Sequence, residues 1–172
     1  MRSYVYLAAA AATLSVATPA LAGPYTVTAD AKGTVLQSLT LVNKADLDFG
    51  TVAPDFLVAD TVSVDADSGA RTTAASKVVL LPGTFSRGIF EGAGTPGNTA
   101  QISLTQPAGG VISNGTQTVA ATLKLDAASA APTVTIPVGG KFTVYVGGDF
   151  VIGANQASGL YVGQFDVTAN YQ

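Results

Sequence analysis

The residues best suited to bind a cation lie in the segment VDADSGAR, residues 64–71. Asp65 and Asp67 are separated by one residue and Gly69 follows, as at the start of a calcium-binding loop, where alternate carboxylates face one ion. The third ligand and the closing Glu of such a loop are missing from this segment. The alternative is a turn that an Asp side chain caps and in which Gly69 adopts positive φ. We expect the turn and assign no metal site, although the sequence leaves open whether Asp65 and Asp67 bind a cation.

Nucleophilic catalysis by a Ser or Thr hydroxyl requires a base. The chain contains no His, so the base would be a Lys or a carboxylate pair. Glu91 lies in a Gly-rich segment with no second carboxylate close in sequence, and the lysines alternate with apolar residues as solvated side chains do: Lys32, Lys44, Lys77, Lys124 and Lys141. We therefore expect no enzyme, no catalytic residue and no cofactor.

The composition limits the elements that could position such groups. Charged residues make up 11% of the 172 residues, against about a quarter in an average domain. The chain has no Cys, so packing and backbone hydrogen bonds must hold its fold without disulfides. A net charge of −3 with no basic cluster argues against nucleic acid and against anionic membrane surfaces as partners.

Residues 1–22 have the parts of a secretory signal peptide. Arg2 supplies a positive charge, residues 4–16 are apolar and Ala-rich, and Ala20-Leu21-Ala22 gives a small-x-small cleavage pattern. The alternatives are a buried helix or a membrane anchor, but the apolar run is short for a bilayer, and no transmembrane segment is expected after it. We predict export through the periplasm and one domain after the signal peptide.

Beyond residue 22, short runs rich in Val, Ile, Thr and Phe are separated by Gly, Pro, Asn and Asp, which is typical of β-sandwiches and barrels. We predict an all-β, immunoglobulin-like β-sandwich. Asn114-Gly115 between two such runs predicts a hairpin with a type I′ turn. The composition of residues 91–99 predicts a flexible loop, and a short helix is possible over 126–131. The expected strands cover 25–35, 36–42, 46–52, 56–64, 77–81, 85–90, 100–105, 110–113, 117–125, 132–136, 141–152 and 159–171.

The first and last predicted strands alternate most regularly, which indicates one face for a core and one for water. The apolar face of the first holds Tyr25, Val27, Ala29, Ala31, Gly33 and Val35. The matching face of the last holds Gly159, Tyr161, Gly163, Phe165, Val167, Ala169 and Tyr171. In the simplest interpretation both strands lie in one closed sheet of the same chain.

Three features together resemble a known family. They are the alternating N-terminal strand after a signal peptide, the segment LTL…ADLDFGTV (39–52) and the ending GLYVGQFDVTANY (159–171). The chain resembles the bacterial secreted family named domain of unknown function 4402. That family is in turn similar to chaperone–usher pilins and to spore-coat-U-like domains.

The resemblance implies an incomplete immunoglobulin-like fold whose groove is filled by a strand from another chain. In pilins a periplasmic chaperone first lends that strand, and the N-terminal extension of the next subunit replaces it at an outer-membrane usher. Residues 25–35 would be the donor strand, with Gly33 or the pair Ala29 and Ala31 at a narrow position. Residues 159–171 would line the acceptor groove, and Tyr171 corresponds to the aromatic residue near the pilin C-terminus.

We therefore expect a signal peptide at 1–22, a donor-type strand at 23–35 and one β-sandwich domain at 36–172. The predicted function is an exported structural subunit of a fimbria-like surface fibre or coat, assembled by head-to-tail strand exchange and linked to cell adhesion. Its partners would be other copies or related subunits, the chaperone and the usher, at the cell surface or outside the cell. Many pilins carry a disulfide and this chain cannot. The alternative is a self-complete secreted β-sandwich, a non-enzymatic binding or surface protein.

Overall fold

The computed structural model describes residues 23–130 and 133–172, so the predicted signal peptide at 1–22 lies outside the described residues. The described chain is all-β, as predicted, with antiparallel strands and one short 3-10 turn at Ala108–Gly110. Its strands are β1 (Thr40–Ala45), β2 (Val52–Ala53), β3 (Asp60–Val64), β4 (Arg71–Thr73), β5 (Val79–Leu80), β6 (Gly88–Ala93), β7 (Thr99–Thr105), β8 (Val111–Ser113), β9 (Thr118–Leu125), β10 (Val134–Thr135), β11 (Lys141–Ile152) and β12 (Asp166–Tyr171).

The twelve-residue strand β11 organises the largest sheet. Residues 141–146 of β11 pair with β6, and residues 148–152 pair with β3. Val146 pairs with both Gly88 of β6 and Leu125 of β9, so β9 lies along the edge opposite β6. The change of partner falls at the Gly147-Gly148 pair, where the sequence predicts a turn or bulge. β1, β4 and β8 then extend this sheet beyond β6, β3 and β9.

Two further groups of strands complete the core. β7 pairs with β10 and β12, and β2 pairs with β5. One apolar cluster joins side chains of β11, such as Phe142 and Val144, to side chains of β7, such as Ala100 and Ile102. A second cluster includes Val62, Phe150 and Ile152, on which Phe49 and Tyr161 pack. Burial of these side chains stabilises the sheets.

Several local predictions were wrong. Residues 127–130 form a turn in which the Ala130 amide donates to the Asp126 carbonyl at 2.8 Å, so no helix forms over the described part of 126–131. The loop predicted at 91–99 begins only after Ala93, because β6 pairs with β1 and β11 up to that residue. Residues 56–59 lie outside any strand, and β4 was not predicted.

The hairpin predicted at Asn114-Gly115 is confirmed between β8 and β9, although the turn differs. Gly115 has φ of +92°, whereas Asn114 has no positive φ and lies at the edge of the turn. The Asn114 side-chain oxygen accepts hydrogen bonds from the amides of Thr116 and Gln117. The loop has four residues, 114–117, between the paired residues Ser113 and Thr118, so the two-residue type I′ turn does not form.

The alternating segment near the N-terminus forms no strand over its described residues. Contacts divide the chain between Thr34 and Val35. Residues 23–38 are all exposed and hold no strand. A ladder partner for the strand predicted at 25–35 is therefore not found among the described residues, and its donor role stays a prediction. We refer to residues 23–35 as the arm.

Candidate functional site

A groove of 1400 Å³ runs along the apolar core of the domain. Residues 43–54 form most of one flank and residues 156–166 form the other. The floor consists largely of core side chains from the strands beneath: Phe90, Ile112, Ala121, Leu123, Phe150 and Ile152. An apolar trough of this kind suits an extended peptide that places alternate side chains into the core.

Two strand edges end at this groove. β1 pairs only with β6, and β12 pairs only with β7, among the strands within 23–130 and 133–172. Each therefore has one edge without a ladder partner in this part of the chain. Asn43 of β1 and Asp166 of β12 line the groove. Unpaired edges are templates for an added strand, so the flanks can offer backbone hydrogen bonds as well as apolar contact.

The DFG segment at 48–50 shapes the first flank through the contacts of its three residues. Asp48 forms a two-bond bridge with Ser86, and its carboxylate accepts a 2.7 Å hydrogen bond from the Gly50 amide. Gly50 has φ of +73°, and an added Cβ would lie 2.9 Å from the Thr84 carbonyl. Arg71 donates to the Phe49 carbonyl at 3.1 Å, which fixes the flank from behind. The Phe49 ring then packs 5.4 Å from the Phe150 ring on the groove floor.

The second flank carries the predicted closing strand, but only part of it forms a ladder. Strand pairing begins at Asp166, and residues 159–165 hold one bridge, from Val162 to Ser113. The predicted alternation is confirmed for the half-buried side chains Tyr161, Phe165, Val167, Ala169 and Tyr171, whereas Gly159 and Gly163 are exposed.

Gly163 belongs to the inner side of this flank despite its exposure. A Cβ at Gly163 would lie 2.6 Å from Cγ2 of Ile112. The residue also lines the groove. Glycine is therefore required here by the close approach of the flank to the floor, which accounts for one of the two glycines in the closing motif.

Tyr171, the last residue of β12, lies at the end of the domain where the chain leaves the arm, which we call the proximal end. Its hydroxyl donates to the Gln37 carbonyl at 2.8 Å and accepts from the Thr95 amide at 2.7 Å. The Gln37 amide in turn donates to Oγ1 of Thr95 at 2.7 Å. Leu39 and Tyr171 pack against the same apolar cluster. These bonds tie the end of β12 to the residues between the arm and β1.

The opposite, distal end is formed by residues 54–58 and 155–160. The Asp55 carboxylate accepts hydrogen bonds from the amides of Leu57 and Val58 at 2.7 and 2.8 Å, and these bonds lower the pKa of Asp55. The Asp55 carbonyl accepts from the Asn155 amide at 2.8 Å, which joins the two segments. Phe56 and Leu57 are 73% and 79% exposed at this end.

The candidate cation ligands form the expected turn instead of a cluster. The Asp65 carboxylate accepts from the Ser68 hydroxyl at 2.5 Å and the Ser68 amide at 2.7 Å, and these bonds lower the pKa of Asp65. Gly69 has φ of +72°, as a turn of this type requires. Asp67 accepts from the Ala127 amide at 3.0 Å. In the part of the chain that the structure describes, no three acidic side chains gather as a metal site needs.

The other polar groups weighed for chemistry also have structural contacts. Glu91 forms an exposed ion pair with Lys44 at 3.4 Å. Lys124 binds Asp149 at 2.6 Å, and this bond lowers the pKa of Asp149. Asp46 and Asp48 are exposed, as their alternation with Leu47 and Phe49 predicts.

Asp60 is a buried carboxylate whose role the sequence did not reveal. Burial raises its pKa, but four backbone amides donate to its oxygens and together lower the pKa to about 2. These amides belong to Lys77, Ala75, Val78 and Thr61, at 2.7, 2.8, 3.2 and 2.7 Å. The carboxylate therefore holds residues 75–78 against the start of β3. The spacing of Asp60 and residues 75–78 in sequence carries no signal of this contact.

Comparison with known proteins supports one assignment. No curated protein and no solved structure matches the chain. Over 23–130 and 133–172, the structure holds no helix long and apolar enough to cross a membrane. Residues 39–171, which include both flanks of the groove, match the family described as Domain of unknown function (DUF4402). The chain therefore belongs to this DUF4402 family.

Proposed function

We propose that this protein is an exported structural subunit that assembles head to tail, the arm of one copy filling the groove of the next. The observation that carries the proposal is the open groove between residues 43–54 and 156–166, whose floor consists of core side chains. A soluble domain normally covers such a surface. An inserted strand would complete the core and join both free edges through backbone hydrogen bonds.

The arm has the pattern that this groove demands. Alternate residues from Tyr25 to Val35 are apolar or small, and the intervening residues are polar. Residues 25–35 span about 36 Å when extended at roughly 3.3 Å per residue. Every residue from 23 to 38 is exposed, so the arm is accessible to a second copy.

We also propose a specific fold for the assembled domain. The domain would be an immunoglobulin-like β-sandwich that lacks one strand, and the arm of another copy would supply it. Before assembly, a periplasmic chaperone would cover the groove with a strand of its own, and an outer-membrane usher would exchange it for the arm. The assembled form would be a fimbria-like fibre or coat at the cell surface.

A pair of neighbouring substitutions tests strand donation. Val27→Asp places a charge on the apolar face of the arm, and Thr28→Asp places the same charge on the polar face. In chains of residues 23–172, we expect Val27→Asp to abolish assembly in sedimentation velocity and Thr28→Asp to leave it intact. Equal assembly by both variants would refute the proposal.

Hydrogen exchange and sedimentation of the unsubstituted chain test the alternative of a self-complete domain. If the unsubstituted chain stays a monomer at every concentration while residues 25–35 are protected from hydrogen exchange, the arm pairs within its own chain. The protein would then be a non-enzymatic binding or surface protein with no open acceptor site.

A further inference from the structure

We infer a second contact between consecutive subunits, in which an apolar patch at the distal end of one domain meets an apolar patch at the proximal end of the next. The partner is a second copy of this chain. This inference rests on the proposed strand donation and adds a direct contact between the folded domains.

The distal patch consists of Phe56, Leu57 and Val58. Their exposed fractions are 73%, 79% and 44%. The Asp55 carboxylate binds the amides of Leu57 and Val58, and the Asp55 carbonyl binds the Asn155 amide, so the loop is held in place. A fixed cluster of exposed large apolar side chains is typical of an interaction surface.

The proximal patch consists of Leu36, Pro96 and Val138. Val138 is 95% exposed at the tip of the turn before β11, and Leu36 is 39% exposed. A hydrogen bond of 2.9 Å from the Gly94 amide to the Gly140 carbonyl joins this turn to the loop that carries Pro96. The adjoining residue Thr95 binds both Gln37 and Tyr171, which places the patch where the arm leaves the domain.

Strand β11 sets the two patches at opposite ends of the domain. Val138 precedes its first residue, Lys141, whereas its last residue, Ile152, pairs with Asp60 directly after the distal loop. Patches at opposite ends suit a heterologous contact that extends from copy to copy. A closed pair of domains joined at their proximal ends would leave the distal patch exposed.

The short segment between the arm and β1 would bring the domains of two consecutive subunits into contact. Residues 36–39 separate Val35, the last apolar residue of the arm, from Thr40 at the start of β1. Extended, these residues span about 13 Å. If the arm lies in the neighbouring groove with Val35 at the distal end, the donor domain must sit directly against the distal patch. The proximal patch lies where that arm joins its own domain. It is therefore the surface of the donor that contacts the distal patch of the acceptor.

Because the chain contains no Cys, single cysteines can test this contact. Chains of residues 23–172 with Leu57→Cys and with Val138→Cys are mixed and treated with a short bis-maleimide. We expect cross-linked dimers from this mixture and none from either variant alone. Thr143→Cys, at an exposed site within β11, replaces Val138→Cys in the control mixture, which should stay uncross-linked.

The outcomes separate this contact from strand donation. If sedimentation shows assembly but Leu57→Cys and Val138→Cys do not cross-link, the domain contact is wrong and strand donation stands. Cross-linking of Val138→Cys with itself alone would indicate a closed dimer and overturn the inference. Cross-linking of the mixture while Val27→Asp has no effect on assembly would support the domain contact and refute strand donation. Neither assembly nor cross-linking would refute both.

Discussion

The hydroxyl of Tyr171 donates a 2.8 Å hydrogen bond to the carbonyl of Gln37 and so ties the end of the closing strand to the residues that follow the arm. The same hydroxyl accepts from the Thr95 amide. An aromatic residue near the chain terminus therefore fixes where the arm begins. Its contribution is positional, because the groove floor lies farther along the domain.

Removal of this hydroxyl should loosen the proximal end. Tyr171→Phe keeps the ring packed but deletes both hydrogen bonds, which we expect to lower the free energy of unfolding by about 1 kcal/mol. Hydrogen exchange at the Thr95 and Gln37 amides should become faster. Tyr161→Phe is the matched control at the distal end, where the hydroxyl binds Ala157 and Gln156. Faster exchange at Thr95 in the control variant as well would contradict a local role for Tyr171.

The first flank should depend on the backbone of Gly50. Gly50→Ala forces a side chain into positive φ, at a cost of about 1–2 kcal/mol, and its Cβ meets the Thr84 carbonyl. We expect a lower free energy of unfolding in urea titrations. Gly139→Ala is the control, since no atom lies within 4 Å of its added Cβ, and its effect should stay within about 0.5 kcal/mol. Equal effects at the two positions would show that the flank conformation is not as described.

Asp60 should make stability depend on acid pH. Its pKa falls from 3.8 to about 2 on folding, so the stabilisation it provides is complete above the unfolded value and is lost as the pH falls through about 2. We expect Asp60→Asn to have a lower urea midpoint than the unsubstituted chain at neutral pH. The difference should shrink between about pH 4 and pH 2. Asp46→Asn, at an exposed carboxyl, should change the midpoint little, and a constant Asp60→Asn difference across this pH range would contradict the assigned contacts.

The small residues of the arm should matter to assembly and not to the stability of the isolated domain. Gly33→Leu enlarges the apolar face at a position where the arm narrows, and we expect it to weaken assembly in sedimentation velocity. Lys32→Leu adds the same side chain to the polar face and should leave assembly intact. If Gly33→Leu assembles as well as Lys32→Leu, the groove has no narrow site for residue 33.

Strands with strong alternation were predictable, whereas short or capped elements were not. β9 and β11 follow their apolar periodicity, and the half-buried residues of the closing segment fall where alternation places them. β4 lies in ARTTAAS, which has no apolar alternation, and it forms because the turn at Asp65 returns the chain to β3. A strand was predicted over the apolar residues Phe56, Leu57 and Val58. They form a loop instead, because the Asp55 carboxylate accepts hydrogen bonds from the amides of Leu57 and Val58.

The groove itself could not be derived from periodicity. The family resemblance predicted a groove lined by residues 159–171 but did not predict the flank at 43–54. The shape of the groove depends on contacts distant in sequence, such as Arg71 with Phe49 and Gly163 with Ile112. Sequence alternation shows that the arm has an apolar face. It carries no information on which chain supplies the groove, because both copies have the same sequence.

The measurement that tests strand donation most directly is hydrogen exchange at the amides of residues 25–35 in the chain 23–172, followed as the protein concentration increases. We predict rapid exchange at low concentration and protection that grows together with the sedimentation coefficient. Protection at every concentration in a species that stays monomeric would contradict the account, since the arm would then pair within its own chain.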